Sequence, residues 1–347
     1  MTKKSFAVFG SLSCLIYMAV GSTQLTPQDD PMRLRMNVVL VQLNVAVTDS
    51  HGNYVTGLRP QDFSVTEDNI NQSVSTFEES RENGRESLVT TPGEPGNDSK
   101  SPGSIVPKTT EANMFILFDT SNYMYRSFVY AQDAIADFIR SMDGSSKIAF
   151  YSYSRNLLRA TTLTPDPFQV INGVRTSVAG DDAALYNSLL LTVKDAAPLK
   201  GRKAVVVFSN GPDNASSVPP EDVAELAEST GTIIYILSTR QAQDDPASAA
   251  AFERVSKASG GKAYFAKDWR QEKKAFASIR EDLIHLYTLS YYPQSNPNRG
   301  WRSIKVKLVG KDLQKYHIRT RDGYRLLPGA ARSPDEPPTA TSGGYSN

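Results

Sequence analysis

Met114-Phe-Ile-Leu-Phe-Asp119-Thr-Ser121-Asn-Tyr123 runs five apolar residues directly into an aspartate and then into small hydroxyl residues. An unbroken apolar run of this length fits a strand buried on both faces, as in a parallel sheet covered by helices. Its polar end then falls at the carboxyl end of the strand, where open α/β sheets place their ligand sites. Asp119 and Ser121 are therefore the first candidate site residues. The plainer alternative is that Asp119 caps the following turn and Ser121 bonds backbone.

The residues after this stretch alternate between strand and helix patterns. Phe128, Ala131, Ile135, Phe138, Ile139 and Met142 recur at spacings of three and four, predicting a helix to about Ser141. Further strands are predicted at 147–152, 203–208, 232–237 and 263–265. Helices are predicted at 182–197, from Pro219-Pro220 to Ser229, at 247–259 and at 269–286. Residues 160–180, with Pro165 and Pro167, predict only a short amphipathic turn around 168–174. This rhythm implies an α/β class, a doubly wound and mostly parallel sheet, over residues 112–286.

The flanks read as β. Strands are predicted at 38–47, 57–65 and 73–77, and again at 287–292, 302–309 and 316–319, with turns at Asp49–Asn53 and Glu67–Asn69. Alternating strands need one buried face. The simplest arrangement packs residues 33–80 with 287–327 into one small β-sandwich, with the α/β domain inserted between its halves. Residues 81–111 are dominated by Ser, Glu, Gly, Pro, Asn and Thr and read as a disordered linker, and 328–347 as a disordered tail.

Lys3 and Lys4 precede the apolar run Phe6–Val20, and Ala19-Val20-Gly21 offers small residues for cleavage near Ser22. Residues 1–21 thus read as a signal peptide, which places the protein outside the cell or in the periplasm or envelope. A retained membrane anchor is the alternative, but Gly10, Ser11 and Ser13 interrupt a run that is short for a span. The single cysteine, Cys14, lies in this segment, so the processed chain would have no disulfide, thiolate metal site or cysteine nucleophile. Lys plus Arg number 38 against 37 Asp plus Glu, without the basic excess of a nucleic-acid binder. His51, His285 and His317 form no ligand pair. There is no Gly-x-Ser-x-Gly elbow or phosphate-binding glycine loop. The adjacent acids Asp181-Asp182 and Asp244-Asp245 read as solvated surface, and the chain is not expected to be an enzyme.

Four segments of the α/β region together resemble a von Willebrand factor type A domain. They are Phe115-Ile-Leu-Phe-Asp119-Thr-Ser121, Gly180-Asp-Asp-Ala-Ala-Leu185-Tyr186, Val205-Val-Val-Phe-Ser209-Asn210-Gly211 and Gly260-Gly-Lys-Ala-Tyr264-Phe. The flanking Val47-Thr-Asp49, Gly57-Leu58, Asp62-Phe63, Glu67-Asp68, Tyr291-Tyr292-Pro293 and Gly323-Tyr324 are similar to the secreted bacterial VWFA-related subfamily of acidobacterial type. The resemblance spans roughly residues 36–327.

That resemblance implies a metal-ion-dependent adhesion site of the pattern Asp-x-Ser-x-Ser, with a threonine and a second aspartate from later loops. Asp119 and Ser121 match it. Tyr123 replaces the second serine, Ala183 the threonine and Asn210 the second aspartate. Mg²⁺ wants six oxygens in near-octahedral array. One carboxylate and one hydroxyl would hold it poorly, so no cofactor is expected. Asp181, Asp182 and Asp213 could add oxygens for a Ca²⁺ ion of looser geometry. The implied function is a protein-binding adhesion or scaffold module that uses this sheet edge without metal or with weak metal assistance. Tyr123, Tyr125, Asn210 and Asp213 would lie near the contact. The alternatives are a hydrolase using edge acids, or a purely structural part of an envelope assembly. Partner identity and oligomeric state stay open.

Overall fold

A computed structural model describes residues 40–79, 86–89, 112–142, 146–239 and 244–326. The expected signal segment, most of the expected linker and the tail 328–347 lie outside the described residues.

The first described element is β1 (Val41–Thr48), followed by a turn closed by Asp49, whose carboxylate accepts the amides of His51 and Asn53. Then follow β2 (Phe63–Glu67), β3 (Ile70–Gln72), β4 (Val74–Glu79) and β5 (Glu86–Val89). The central stretch is β6 (Ala112–Asp119), α1 (Phe128–Ser141), β7 (Ser146–Tyr153), β8 (Leu157–Thr164), α2 (Pro167–Arg175), α3 (Leu185–Ala196), β9 (Arg202–Phe208), α4 (Pro220–Thr230), β10 (Thr232–Ser238), α5 (Pro246–Ala258), β11 (Lys262–Phe265) and α6 (Trp269–His285). It closes with β12 (Tyr287–Tyr291), β13 (Trp301–Leu308), β14 (His317–Arg319) and β15 (Gly323–Arg325).

The α/β sheet has the order β11-β10-β9-β6-β7-β8. Its five strands other than β8 run parallel, and β8 pairs antiparallel to β7. All eight residues of β6 are buried, because helices cover both sheet faces. Met114, Ile116 and Phe118 pack in one core with residues of α1, α2 and α6. Phe115 and Leu117 pack in the other with α3, α4 and α5. The period of two in a strand thus splits one apolar run between two cores. Local chemistry sets the helix ends: Asp166, Asp245 and Asp268 accept first-turn amides at the starts of α2, α5 and α6. Gly231, at φ 68°, ends α4 in the left-handed conformation.

Two antiparallel sheets, β14-β1-β12-β4-β5 and β15-β13-β2-β3, combine strands from both ends of the chain. They share one core that includes Leu43, Val45, Phe63, Val65, Phe77, Tyr287, Leu289, Tyr291 and Ile304. Glu67 is buried there and receives Arg302 Nη1 at 2.8 Å, Tyr291 Oη at 2.8 Å and Tyr324 Oη at 3.0 Å. The α/β layer and the sandwich meet at Asp282 of α6, which is 0% exposed. It accepts Tyr54 Oη at 2.8 Å and Tyr235 Oη at 2.6 Å, and pairs with Arg319 of β14.

Four strands depart from the sequence expectation. Residues 86–89, placed in the expected linker, form β5 and pair antiparallel with β4. Residues 157–164, which the sequence assigned to no strand, form β8: its backbone completes the sheet edge while none of its residues is fully buried, with two register shifts against β7. β3 and β15 are three-residue strands that exist by pairing with β2 and β13. Among the described residues no helix is long and apolar enough to cross a membrane.

Candidate functional site

Strands β7 and β8 lie on one side of β6, and β9, β10 and β11 on the other. The order of connection therefore reverses between β6 and β9. In open α/β sheets the crevice for ligands opens at the carboxyl ends of such a strand pair. Asp119 ends β6 there, and Ser209 follows the last residue of β9.

Asp119 is wholly enclosed, at 0% exposure. Its Oδ1 accepts the Ser121 amide at 2.9 Å, the Asx-turn geometry of a capping aspartate. Its Oδ2 accepts Ser209 Oγ at 2.7 Å. Ser209 Oγ in turn accepts Tyr153 Oη at 2.9 Å and the Gly211 amide at 3.1 Å. These side chains join the ends of three strands, β6, β7 and β9. Burial pushes the Asp119 carboxyl above its ordinary range, against the opposing hydrogen bonds of Ser121 and Ser209. Burial, and then the charge of Asp119, push the Tyr153 phenol well up. Ser121 is also buried, and its Oγ is left without a hydrogen-bond partner.

The loops around this centre are bonded to one another. Thr120 donates its amide (2.8 Å) and its hydroxyl (2.9 Å) to the Tyr153 carbonyl, and accepts the Gly180 amide at 2.7 Å. A Cβ on Gly180 would lie 2.4 Å from Ser154 Oγ, so a larger residue would not seat this loop. Ala183, 0% exposed, donates its amide to Asn214 Oδ1 at 2.8 Å. Its carbonyl accepts the amides of Asn214 and Ala215 at 3.0 and 3.1 Å. A methyl group thus fills the place where a threonine would present an oxygen.

The other expected contributors are engaged elsewhere. Asn210 Oδ1 accepts the amide (2.9 Å) and hydroxyl (2.5 Å) of Thr239, joining the ends of β9 and β10. Asp213 accepts the Tyr186 amide at 2.9 Å in the first turn of α3, and the amides of Ala215 and Ser216 at 3.2 and 2.8 Å. It caps a helix from a neighbouring loop, where the helix dipole favours an anion. Asp182 pairs with Arg155. Asp181 is exposed and uses its backbone carbonyl to accept the Asn122 amide at 2.9 Å.

The side-chain oxygens around this centre are largely engaged by protein partners. Both oxygens of Asp119 already accept hydrogen bonds from protein donors. Asp182 and Asp213 are bound to other partners, and Ala183 offers no side-chain oxygen. Among the described residues no group of three His, Cys, Asp or Glu side chains converges on one point.

Several exposed side chains near the same edge are apolar or aromatic. Tyr123 is partly buried, but Tyr125, Val129, Tyr130 and Val178 are exposed by 53, 62, 71 and 78%. Gln132 Nε2 bonds the Val174 carbonyl at 2.9 Å and Ser177 Oγ at 3.1 Å, which brings the start of α1 beside the end of α2. Val129 lies one helical turn before Gln132, Tyr125 sits in the 3-10 turn Asn122–Ser127 that leads into α1, and Val178 follows Ser177. Nothing in the sequence marks Ser209 or Tyr153 as partners of Asp119. The exposure of Val129 and Val178 also carries no local signal.

No family model matches the chain, and no curated protein matches it. Among solved structures it is similar to the conserved hypothetical protein BatB from Bacteroides thetaiotaomicron, at 13% identity and TM-score 0.42, over 50% of this chain and 97% of that one. It is similar to the vWF domain of the type V pili tip protein Mfa5 from Porphyromonas gingivalis, at 11% identity and TM-score 0.41, over 50% and 95%. It is also similar to proximal thread matrix protein 1 from the mussel byssus with a zinc-occupied MIDAS motif. There the identity is 11% and the TM-score 0.41, over 54% of this chain and 48% of that one, so the match spans about half of that protein.

Proposed function

We propose that the chain is a protein-binding module of the adhesion or scaffold kind, exported by way of residues 1–21, which docks a partner at the carboxyl edge of its α/β sheet. The carrying observation is the apolar rim of Tyr125, Val129, Tyr130 and Val178 beside a centre whose carboxylate is already satisfied. Exposed aromatic and branched residues in one patch suit a protein contact. In this reading recognition rests on shape and apolar burial, and a bound cation adds little. Asp119, Asn210 and Asp213 hold the loops in place beneath the contact, and Tyr123 flanks it.

A photo-crosslinking amino acid at Tyr125 or Val178 should capture a partner from envelope or extracellular protein, equally with and without chelator. The same group at Phe168, 80% exposed at the far end of α2, serves as the control and should capture none. Capture abolished by chelator would overturn the reading of a metal-independent contact.

A further inference from the structure

A cavity of about 470 Å³ opens on another face of the molecule, between α4 and α5. This volume lies within the roughly 300–1,000 Å³ of small-ligand sites. Its apolar lining comes from Ala224 of α4 and Val255 and Ala258 of α5, while Trp301 and Asp322 enter from the sandwich strands and their connections. Trp301 is 37% exposed, a large aromatic left partly open at the cavity wall. Its ring rests on Gly323, where a Cβ would come within 2.5 Å of Trp301 Cζ2, so the glycine seats the indole.

The charges around the cavity are unequally satisfied. Glu221 pairs with Arg254 at 3.2 Å, and Glu225 with Arg325 at 2.6 Å. Glu228 and Asp322 have no salt-bridge partner among the described residues. Glu228 is partly buried, and burial lifts its carboxyl to about 7. The charges acting on it are Arg321, which favours the carboxylate, and Asp322 and Glu225, which oppose it. Lys257 also lines the cavity but is exposed and is not among them. Two carboxylates outside any close ion pair, an open indole and an aliphatic wall complement a cation on an apolar stem. The carboxylates meet the charge, the indole face attracts it, and the wall covers the methylenes.

We infer that this cavity binds an organic cation, an alkylammonium or guanidinium group, between Glu228, Asp322 and Trp301. The group could belong to a free amine or to a basic side chain of a peptide. The surface is separate from the rim formed by Tyr125 and Val178, and the inference does not depend on that contact.

Calorimetric titration of the full chain tests it, with agmatine as the free cation, a capped lysine pentapeptide as the side chain, and the same peptide acetylated at lysine. The inference expects saturable binding of one or both cations and none of the acetylated peptide. Binding should weaken at least tenfold in Glu228→Gln and several-fold in Trp301→Leu. Binding of agmatine alone would assign a free amine, and binding of the lysine peptide a side chain. Affinity should rise from pH 6 to pH 8 as Glu228 ionises. Asp322→Asn, at an exposed position, supplies a second variant should Glu228→Gln fail to fold. Absence of binding by both cations, equal binding of the acetylated peptide, or unchanged affinity in the folded variants would overturn the inference.

Discussion

Ser209 Oγ donates to Asp119 Oδ2 at 2.7 Å while accepting Tyr153 Oη, so the carboxylate at the sheet edge is held by protein donors in a shell closed to solvent. Asp119→Ala would strand the Ser121 amide and the Ser209 hydroxyl. A buried donor left unpaired costs about 1–3 kcal/mol. Urea unfolding should therefore show a loss of about 2–4 kcal/mol. Asp119→Asn keeps an acceptor for the Ser121 amide and should lose less. A fully stable Asp119→Ala protein would contradict the structural role given to this aspartate.

Asp282 carries the junction between the α/β layer and the sandwich. Asp282→Ala leaves Arg319 without its carboxylate and frees two phenols, the buried Tyr235 and the partly buried Tyr54. Breaking a buried pair from one side costs about 3–5 kcal/mol. The thermal midpoint should fall by well over 5 °C, or the protein should fail to accumulate. Arg319→Met with Asp282→Leu, which removes both charges, should recover part of that loss.

Gly261 packs directly on β10. A Cβ there would lie 2.0 Å from the Ile234 carbonyl oxygen, a backbone atom that cannot swing aside. Gly261→Ala should cost at least the 1–3 kcal/mol of an overpacked core. Gly52→Ala meets nothing within 4 Å and carries only the strain of φ 85°, so it should cost less. Comparison of their denaturation midpoints checks the ranking.

Glu228 gives stability a defined pH dependence. Its folded carboxyl sits at about 7, above its ordinary 4.5, so the folded state holds a proton that the unfolded state releases. Stability from this group is present below about pH 4.5 and is lost as pH rises through about 7. Glu228→Gln should remove that decline. The difference in melting temperature, variant minus wild type, should grow in favour of the variant between pH 5 and pH 8. A difference that does not change with pH would refute this assignment.

The α/β sheet is legible in the sequence because each parallel strand is an apolar run and each covering helix repeats at three and four. β8 is not, because Leu157–Thr164 is an edge strand with no fully buried residue and an irregular register. β5 is hidden for a related reason: it is held by backbone pairing with β4, which composition does not encode. At the site, Asp119 and Ser121 stand out at the end of β6. Their actual partners do not, since Ser209 and Tyr153 reach Asp119 only once β6, β7 and β9 lie side by side. Asn210 and Asp213 lie in the loops at this edge, and their hydrogen bonds hold those loops in place.

Strand β1 belongs to two cores at once. Leu43 and Val45 face the sandwich, while Ala46 packs with the α/β layer. Its sheet neighbour, β12, pairs Val41 with Tyr291 and Val45 with Tyr287, some 240 residues away along the chain. Such pairings carry a large loop-closure entropy and slow folding. During synthesis the first strands emerge long before their mates and expose their apolar faces. The inserted layer can fold meanwhile and draw the two ends of the chain together. A chain stopped before residue 287 should therefore retain a protease-resistant fragment near residues 112–286, while 40–79 is digested. Completion of the sandwich then becomes the last event of folding, and the step most exposed to aggregation.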